Sequence, residues 1–144
     1  MPESSLEQFE DFVVRCREAV SQQVRGRTEP FQALWSQADD VVLMGAAGSH
    51  SVGWKEVSAR LTWASERLDF DKAWRVESLL MSVNGDLGFT CDLEHMRREV
   101  NGEIQERTLR ASQGYRFEDG GWRVVFRHGD PMAESVVPPE LETK

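Results

Sequence analysis

Three polar residues crowd the end of the stretch 105–131, QERTLRASQGYRFEDGGWRVVFRHGDP: Arg127, His128 and Asp130. His128 and Asp130 are two apart, and on a β-strand residues two apart point the same way. A carboxylate beside an imidazole orients the ring and raises its basicity. The pair therefore reads as a general base, His128, with Asp130 as its orienting partner or as a general acid. A structural reading stands beside it, in which the two close the strand and tie down the C-terminal segment, with Arg127, Arg116 or Arg110 as ion-pair partners. His50 lies in the loop GSHSVG, either at a pocket mouth or as an exposed loop histidine. His95, between Glu94 and Arg97, reads as a surface or interface residue. Glu77 becomes a candidate acid if it faces inward, where burial would raise its pKa, and otherwise pairs with an arginine across a sheet face. The three histidines share no HxH or HExxH spacing, so no metal site is expected. The glycine-bearing loop lacks both a GKS/T ending and GxGxxG spacing, and no GxSxG is present. Neither phosphate cradling nor nucleophilic catalysis has support, and no cofactor is expected.

Composition narrows the classes further. The 144 residues are 40% hydrophobic and 29% charged, with a formal net charge of -8. That is one globular domain, and its acidity is the wrong sign for a nucleic-acid binder. Lysine is nearly absent, so the cations are arginines, suited to bidentate cross-strand pairs. Cys16 and Cys91 fit no CxxC motif and read as free, buried thiols in a reducing compartment. The N-terminus has no basic region followed by an apolar run, and no apolar run approaches the roughly 18 residues of a membrane span. The expected setting is cytoplasmic, with no membrane contact.

The elements that must position these groups follow from periodicity. Leu6, Phe9, Val13, Cys16, Val20 and Val24 recur at three- and four-residue spacing and predict a helix over 4–25, ended by Gly26. A short helix begins near Thr28 with Pro30 in its first turn. Residues 41–44 read as a short buried strand, followed by a glycine-bearing loop. A third helix runs over 53–69 with Trp54, Val57, Leu61, Ala64 and Leu68 as its core stripe. Trp63 is rotated from that stripe, either capping a cavity or packing on a strand end. From 74 onward the period becomes two. Strands are predicted over 74–83, 87–98, 106–118 and 122–130, joined by turns at Asn84-Gly85-Asp86, Asn101-Gly102 and Asp119-Gly120-Gly121. In the second of these strands Phe89 shares a face with Leu87, Cys91 and Leu93. In the third, Leu109, Ala111, Gln113, Tyr115 and Phe117 share one. In the last, Trp122, Val124, Phe126, His128 and Asp130 share one. The domain spans 1–131 and a tail, 132–144, follows. Helices first and hairpin-linked strands after give an α+β fold: a strongly curved, mostly antiparallel sheet wrapped around an N-terminal helix pair and a third helix, a cone with an internal pocket.

Three stretches resemble the SnoaL-like branch of the nuclear transport factor 2-like superfamily. They are Ala38-Asp39-Asp40 with the strand, the Gly45, Gly48 and Gly53 loop and the third helix; the NGD hairpin with LEHMRREVNG; and LRASQGYRFEDGGWRVVFRHGD. Together they cover residues 5–131. The resemblance implies a cone-shaped domain with a deep pocket, pairing as a homodimer through the outer face of the sheet. It spans isomerases, cyclases, dehydratases, hydrolases and non-enzymatic binding domains, so it leaves function open. Ketosteroid isomerase-like members carry a general-base aspartate where this chain has Met44 and Gly45, which argues against steroid isomerisation.

Three functions are consistent with the sequence. One is a small hydrophobic molecule bound in an apolar pocket lined by Trp35, His50, Trp63, Phe89, Tyr115 and Phe126. Another is an isomerase, cyclase or hydrolase acting on such a molecule through His128 and Asp130. The last is a dimeric assembly or accessory domain.

Overall fold

A computed structural model describes residues 4–133; the greater part of the predicted tail lies outside the described residues. The elements are α1 (Ser4–Val24), α2 (Glu29–Gln32), β1 (Val42–Met44), β2 (His50–Val52), α3 (Trp54–Ser65), β3 (Ala73–Asn84), β4 (Leu87–Val100), β5 (Glu103–Glu118) and β6 (Gly121–Pro131). The strands form one six-stranded sheet in the order β2-β1-β6-β5-β4-β3. Every pairing is antiparallel except β1 with β6, which is parallel. The sheet is not closed, so β2 and β3 are its edges. Among the described residues no helix is long and apolar enough to cross a membrane.

The helical stripe read from α1 is the core. Phe9, Val13, Cys16, Val20 and Val24 are buried, joined by Phe12 and Ala19, while Leu6 at the start of the helix is half exposed. Burying each of these larger apolar side chains stabilises the fold by about 1.5–3 kcal/mol. The Phe9 ring meets Tyr115 and Trp122 edge-on, with centroids 5.3 and 4.9 Å away, which fastens α1 onto β5 and β6. Edge-to-face geometry places the positive ring edge on the negative face of its neighbour.

Turn chemistry sets the hairpins. Asn101 and Gly102 have φ of 53° and 81°, and Asp119 and Gly120 have 50° and 81°. Two successive residues at positive φ make the turn type whose twist matches paired strands, and Asn-Gly or Asp-Gly tolerates it best. Two segments depart from the sequence reading. The loop after β1 contains a further strand, β2, because Gly48 and Ser49 turn the chain at positive φ and bring Ser51 and Val52 back alongside β1. The third helix closes at Ser65, four residues early, with single-turn hydrogen bonds from Arg67 to Ala64 and from Leu68 to Ser65.

A β-bulge in β6 decides which residues face inward. Gly114 pairs with Phe126 but Tyr115 pairs with Val124, so Val125 is an extra residue. An inserted residue reverses the alternation beyond it. Trp122 and Val124 are buried against the helices before the bulge, and Arg127 and Gly129 after it. The single shared face expected from Trp122 to Asp130 therefore ends at Val124, and Phe126, His128 and Asp130 lie on the outer face. In β4 the inward set is Thr90, Asp92, Glu94 and Met96, so Phe89, with 46% of its surface exposed, is also outside.

One contact tests how tightly α1 sits on the sheet. A Cβ added at Gly88 would lie 2.5 and 2.7 Å from two atoms of the Phe9 ring and 3.1 Å from the Ser82 carbonyl oxygen. Gly88→Ala is expected to destabilise the domain by about 1–3 kcal/mol, the usual range for overpacking a close-fitted site. Urea unfolding followed by circular dichroism would show a lower midpoint at an unchanged slope; an unchanged midpoint would mean that α1 does not rest there.

Candidate functional site

The inward faces of β4, β5 and β6 carry polar groups where a plain core would carry aliphatic ones. Arg127, 8% exposed, donates from Nη2 to Glu94 Oε1 at 2.6 Å and from Nη1 to Glu94 Oε2 at 3.0 Å. Nη1 also donates to Gln113 Oε1 at 2.7 Å. Gln113 Nε2 donates to the Tyr115 hydroxyl at 2.8 Å, and that hydroxyl shares a hydrogen bond with Thr90 Oγ1 at 2.8 Å. Alongside, Asp92 accepts from Arg17 of α1 at 2.9 Å. The result is one connected line of buried polar groups running across three strands. Two charges in a low-dielectric interior persist only when paired and hydrogen-bonded, which is the arrangement Glu94 and Arg127 adopt.

Protonation follows from these surroundings. Burial alone would lower the Arg127 pKa, but the attraction of the Glu94 carboxylate and its hydrogen bonds outweigh it and raise the pKa overall. Burial pushes the Tyr115 phenol well above its ordinary range against the opposing hydrogen bonds from Thr90 and Gln113. Tyr115 is therefore a neutral hydrogen-bonding group at physiological pH. Burial likewise raises the Asp92 carboxyl, with Arg17 opposing it. It also pushes the Cys16 thiol far up, so Cys16 is an inert core residue.

A cavity of about 390 Å³ opens between α1, α3 and the inner face of the sheet. Its apolar wall comes from Val20 and Val24 of α1, Leu61 and Ala64 of α3, Leu43 of β1 and Leu109 of β5. Arg127 lies on its inner wall. Trp63 borders it with 37% of its surface exposed, and the guanidinium carbons of Arg60 and Arg67 lie 4.0 and 4.2 Å from the Trp63 ring centroid. These side chains come together because helical neighbours three and four apart share a face.

Of the residues expected to line the pocket, Trp63 does so. Trp35 and Tyr115 are buried in the core beside it: Trp35 packs edge-on against Phe31 at 5.8 Å, and its backbone bridges to Val124. His50, Phe89 and Phe126 are on the outer face, as are the two proposed catalytic residues. The cross-strand register places His128 between Ser112 of β5 and Met44 of β1, and Met44 pairs in turn with His50. His128 is exposed. Asp130 forms a bidentate pair with Arg110, at 2.9 and 3.0 Å. The Arg110 guanidinium holds its carboxyl below the usual range. Because the folded-state pKa lies below 3.8, that pair stabilises the fold above this pH and the contribution is lost as pH falls through the depressed value. Glu77 faces His95, with Oε1 and Nε2 3.4 Å apart, instead of an arginine. Among the described residues no group of three or more His, Cys, Asp or Glu side chains is placed to hold a metal ion.

The residues missed in sequence were Glu94 and Gln113 as partners and Arg127 as the inward member of the closing triplet. The available signal was the run Val124-Val125-Phe126. Three consecutive apolar residues break strict alternation and mark the place where a strand can change faces.

An open six-stranded sheet curled over three helices, with a cavity between them, is the cone-shaped architecture of nuclear transport factor 2-like domains. The SnoaL-like domain profile matches residues 15–134, and the chain belongs to that family. Solved structures agree on the fold. A nuclear transport factor 2-like superfamily protein from Salmonella enterica serovar Typhimurium is 16% identical, with 93% of this chain and 98% of that one covered and a TM-score of 0.70. A ketosteroid isomerase-like protein from Erwinia carotovora atroseptica is also 16% identical, covering 92% and 100% at 0.70. A nuclear transport factor 2-like protein with a cystatin-like fold from Novosphingobium aromaticivorans is 19% identical, covering 92% and 89% at 0.68. No curated protein matches the sequence.

The buried pair gives a direct energetic test. Arg127→Met strands the Glu94 carboxylate, and Glu94→Gln strands the Arg127 guanidinium and turns one of its two accepting oxygens into an amide donor, so each should cost about 3–5 kcal/mol. The double variant should be more stable than the sum of the two losses implies, by about 1 kcal/mol or more. Chemical denaturation of all four proteins measures this coupling, and additive losses would show that the two side chains do not meet.

Proposed function

We propose that this SnoaL-like domain binds a small hydrophobic molecule in the cavity between α1, α3 and the sheet. The observation that carries the reading is the cavity: at about 390 Å³ it falls in the size range of small-molecule sites, roughly 300–1,000 Å³. Its wall is mainly aliphatic and its polar lining is sparse, the composition that takes up an apolar body and orients it with a few groups. The inward polar line behind Arg127 is internally satisfied, so it presents a fixed, pre-organised surface.

Acid-base catalysis by His128 and Asp130 is not part of this reading. The pair stands on the far side of the sheet from the cavity, and Asp130 is engaged by Arg110. Among the described residues no imidazole lines the cavity.

The expected outcome in a thermal-shift screen of small apolar compounds is a rise in Tm that survives His128→Ala and Asp130→Ala. Ala64→Trp, which fills the cavity from α3, should remove the response while leaving a folded protein by circular dichroism. A ligand response that disappears in the His128 variant and persists in Ala64→Trp would place the site elsewhere.

A further inference from the structure

The cavity has charge of only one sign. Its charged lining residues are Arg60, Arg67, Arg107 and Arg127, and among the described residues no Asp, Glu or Lys lines it. The chain as a whole has 25 acidic and 17 basic residues, so the local balance runs against the global one. Arg127 is neutralised by Glu94. The other three differ from it. Arg60 makes its polar contact with the Gly48 carbonyl, 3.2 Å from Nη2, and rests on the Trp63 ring. Arg67 donates to the Trp63 carbonyl at 2.9 Å, and its approach to the exposed Glu66 is 3.8 Å. Arg107 lies 5.4 Å from the centroid of Phe70. Among the described residues neither Arg60 nor Arg107 meets a carboxylate within salt-bridge distance, whereas neighbouring arginines do: Arg97 pairs with Glu106 and Arg98 with Asp69.

Position separates these groups as well. Arg127 is buried, while Arg67 and Arg107 are exposed and Arg60 is partly so. Arg60 and Arg107, which meet no carboxylate among the described residues, and Arg67, whose Glu66 contact is long and exposed, therefore sit toward solvent, and the aliphatic wall lies deeper. From this arrangement we infer that the ligand is an amphipathic monoanion, an apolar body ending in a carboxylate. The body occupies the aliphatic interior, and the carboxylate stays at the opening among Arg60, Arg67 and Arg107. Guanidinium groups suit this role because their planar donors match the two carboxylate oxygens. Stacking on Trp63 holds the stems of Arg60 and Arg67 in place, which reduces the ordering cost of binding. An anion at the partly solvated opening also avoids the desolvation it would meet deep inside.

This inference rests on the reading of the cavity as a small-molecule site, and the test separates the two. Octanoate and octanamide have nearly the same apolar body and differ in charge. Calorimetric titration of the full chain should show octanoate binding about tenfold tighter, with an advantage that shrinks as salt is raised. Arg107→Gln, and separately the Arg60→Gln/Arg67→Gln double variant, should each reduce that preference and leave octanamide affinity unchanged. Arg107→Lys should retain part of it. These arginines lie at the surface, so folded variants are expected, with Tm measured to confirm it. Equal affinity for the two compounds, or a preference that persists in both glutamine variants, overturns the anion assignment while leaving the cavity reading intact. Binding of neither compound overturns both.

Discussion

The buried pair between Glu94 and Arg127 is the constraint on which the interior depends. It joins β4 to β6 across β5, and through Gln113 it reaches Tyr115 and Thr90. A charge pair at this depth is weak evidence for stability in itself, because desolvation offsets most of the attraction. Its effect is on choice of arrangement. With Arg127 inside, Glu94 must also face inward, and the faces of β4 and β6 beyond the bulge are then set. Reversing either strand would leave a charge buried alone.

The same constraint explains why the outer face of the sheet is partly apolar. On β4 the inward positions are given to Thr90, Asp92, Glu94 and Met96, so Phe89, Cys91 and Leu93 point outward. Phe89 stands beside Gly114, and Gly114 beside Phe126. The helices supply the missing hydrophobicity inside: α1 contributes seven buried apolar residues, from Phe9 to Val24. The core is thus built mainly between the helices and β5 with the start of β6, and the polar line occupies the deeper sheet surface next to the cavity.

Much of the fold was legible in the sequence because its signals are local. The three- and four-residue spacing of α1, the NGD, Asn-Gly and Asp-Gly turns, and the change to a period of two place all three helices and five of the six strands. The missed strand, β2, is three residues long and is made by pairing with β1, not by its own composition. The site was less legible. Alternation gives which residues share a face, but it cannot say which face is inside when both carry polar groups. In β4 Phe89 was expected to line the pocket, yet its apolar face is outside and the charged set is inside, where Arg17 and Arg127 lie opposite. In β6 one unpaired residue, Val125, moved His128 and Asp130 outward and turned Arg127 in. The rotation of Trp63 from the main stripe of α3 was legible because it is a property of the helix alone.

Methyl chemical-shift mapping during titration with octanoate will show whether ligands enter the proposed cavity between α1, α3 and the inner sheet face. Shifts are expected at Val20, Leu43, Leu61 and Leu109, with Leu80 and Leu93 on the outer face unmoved. Shifts confined to Leu80 and Leu93 would contradict the proposal.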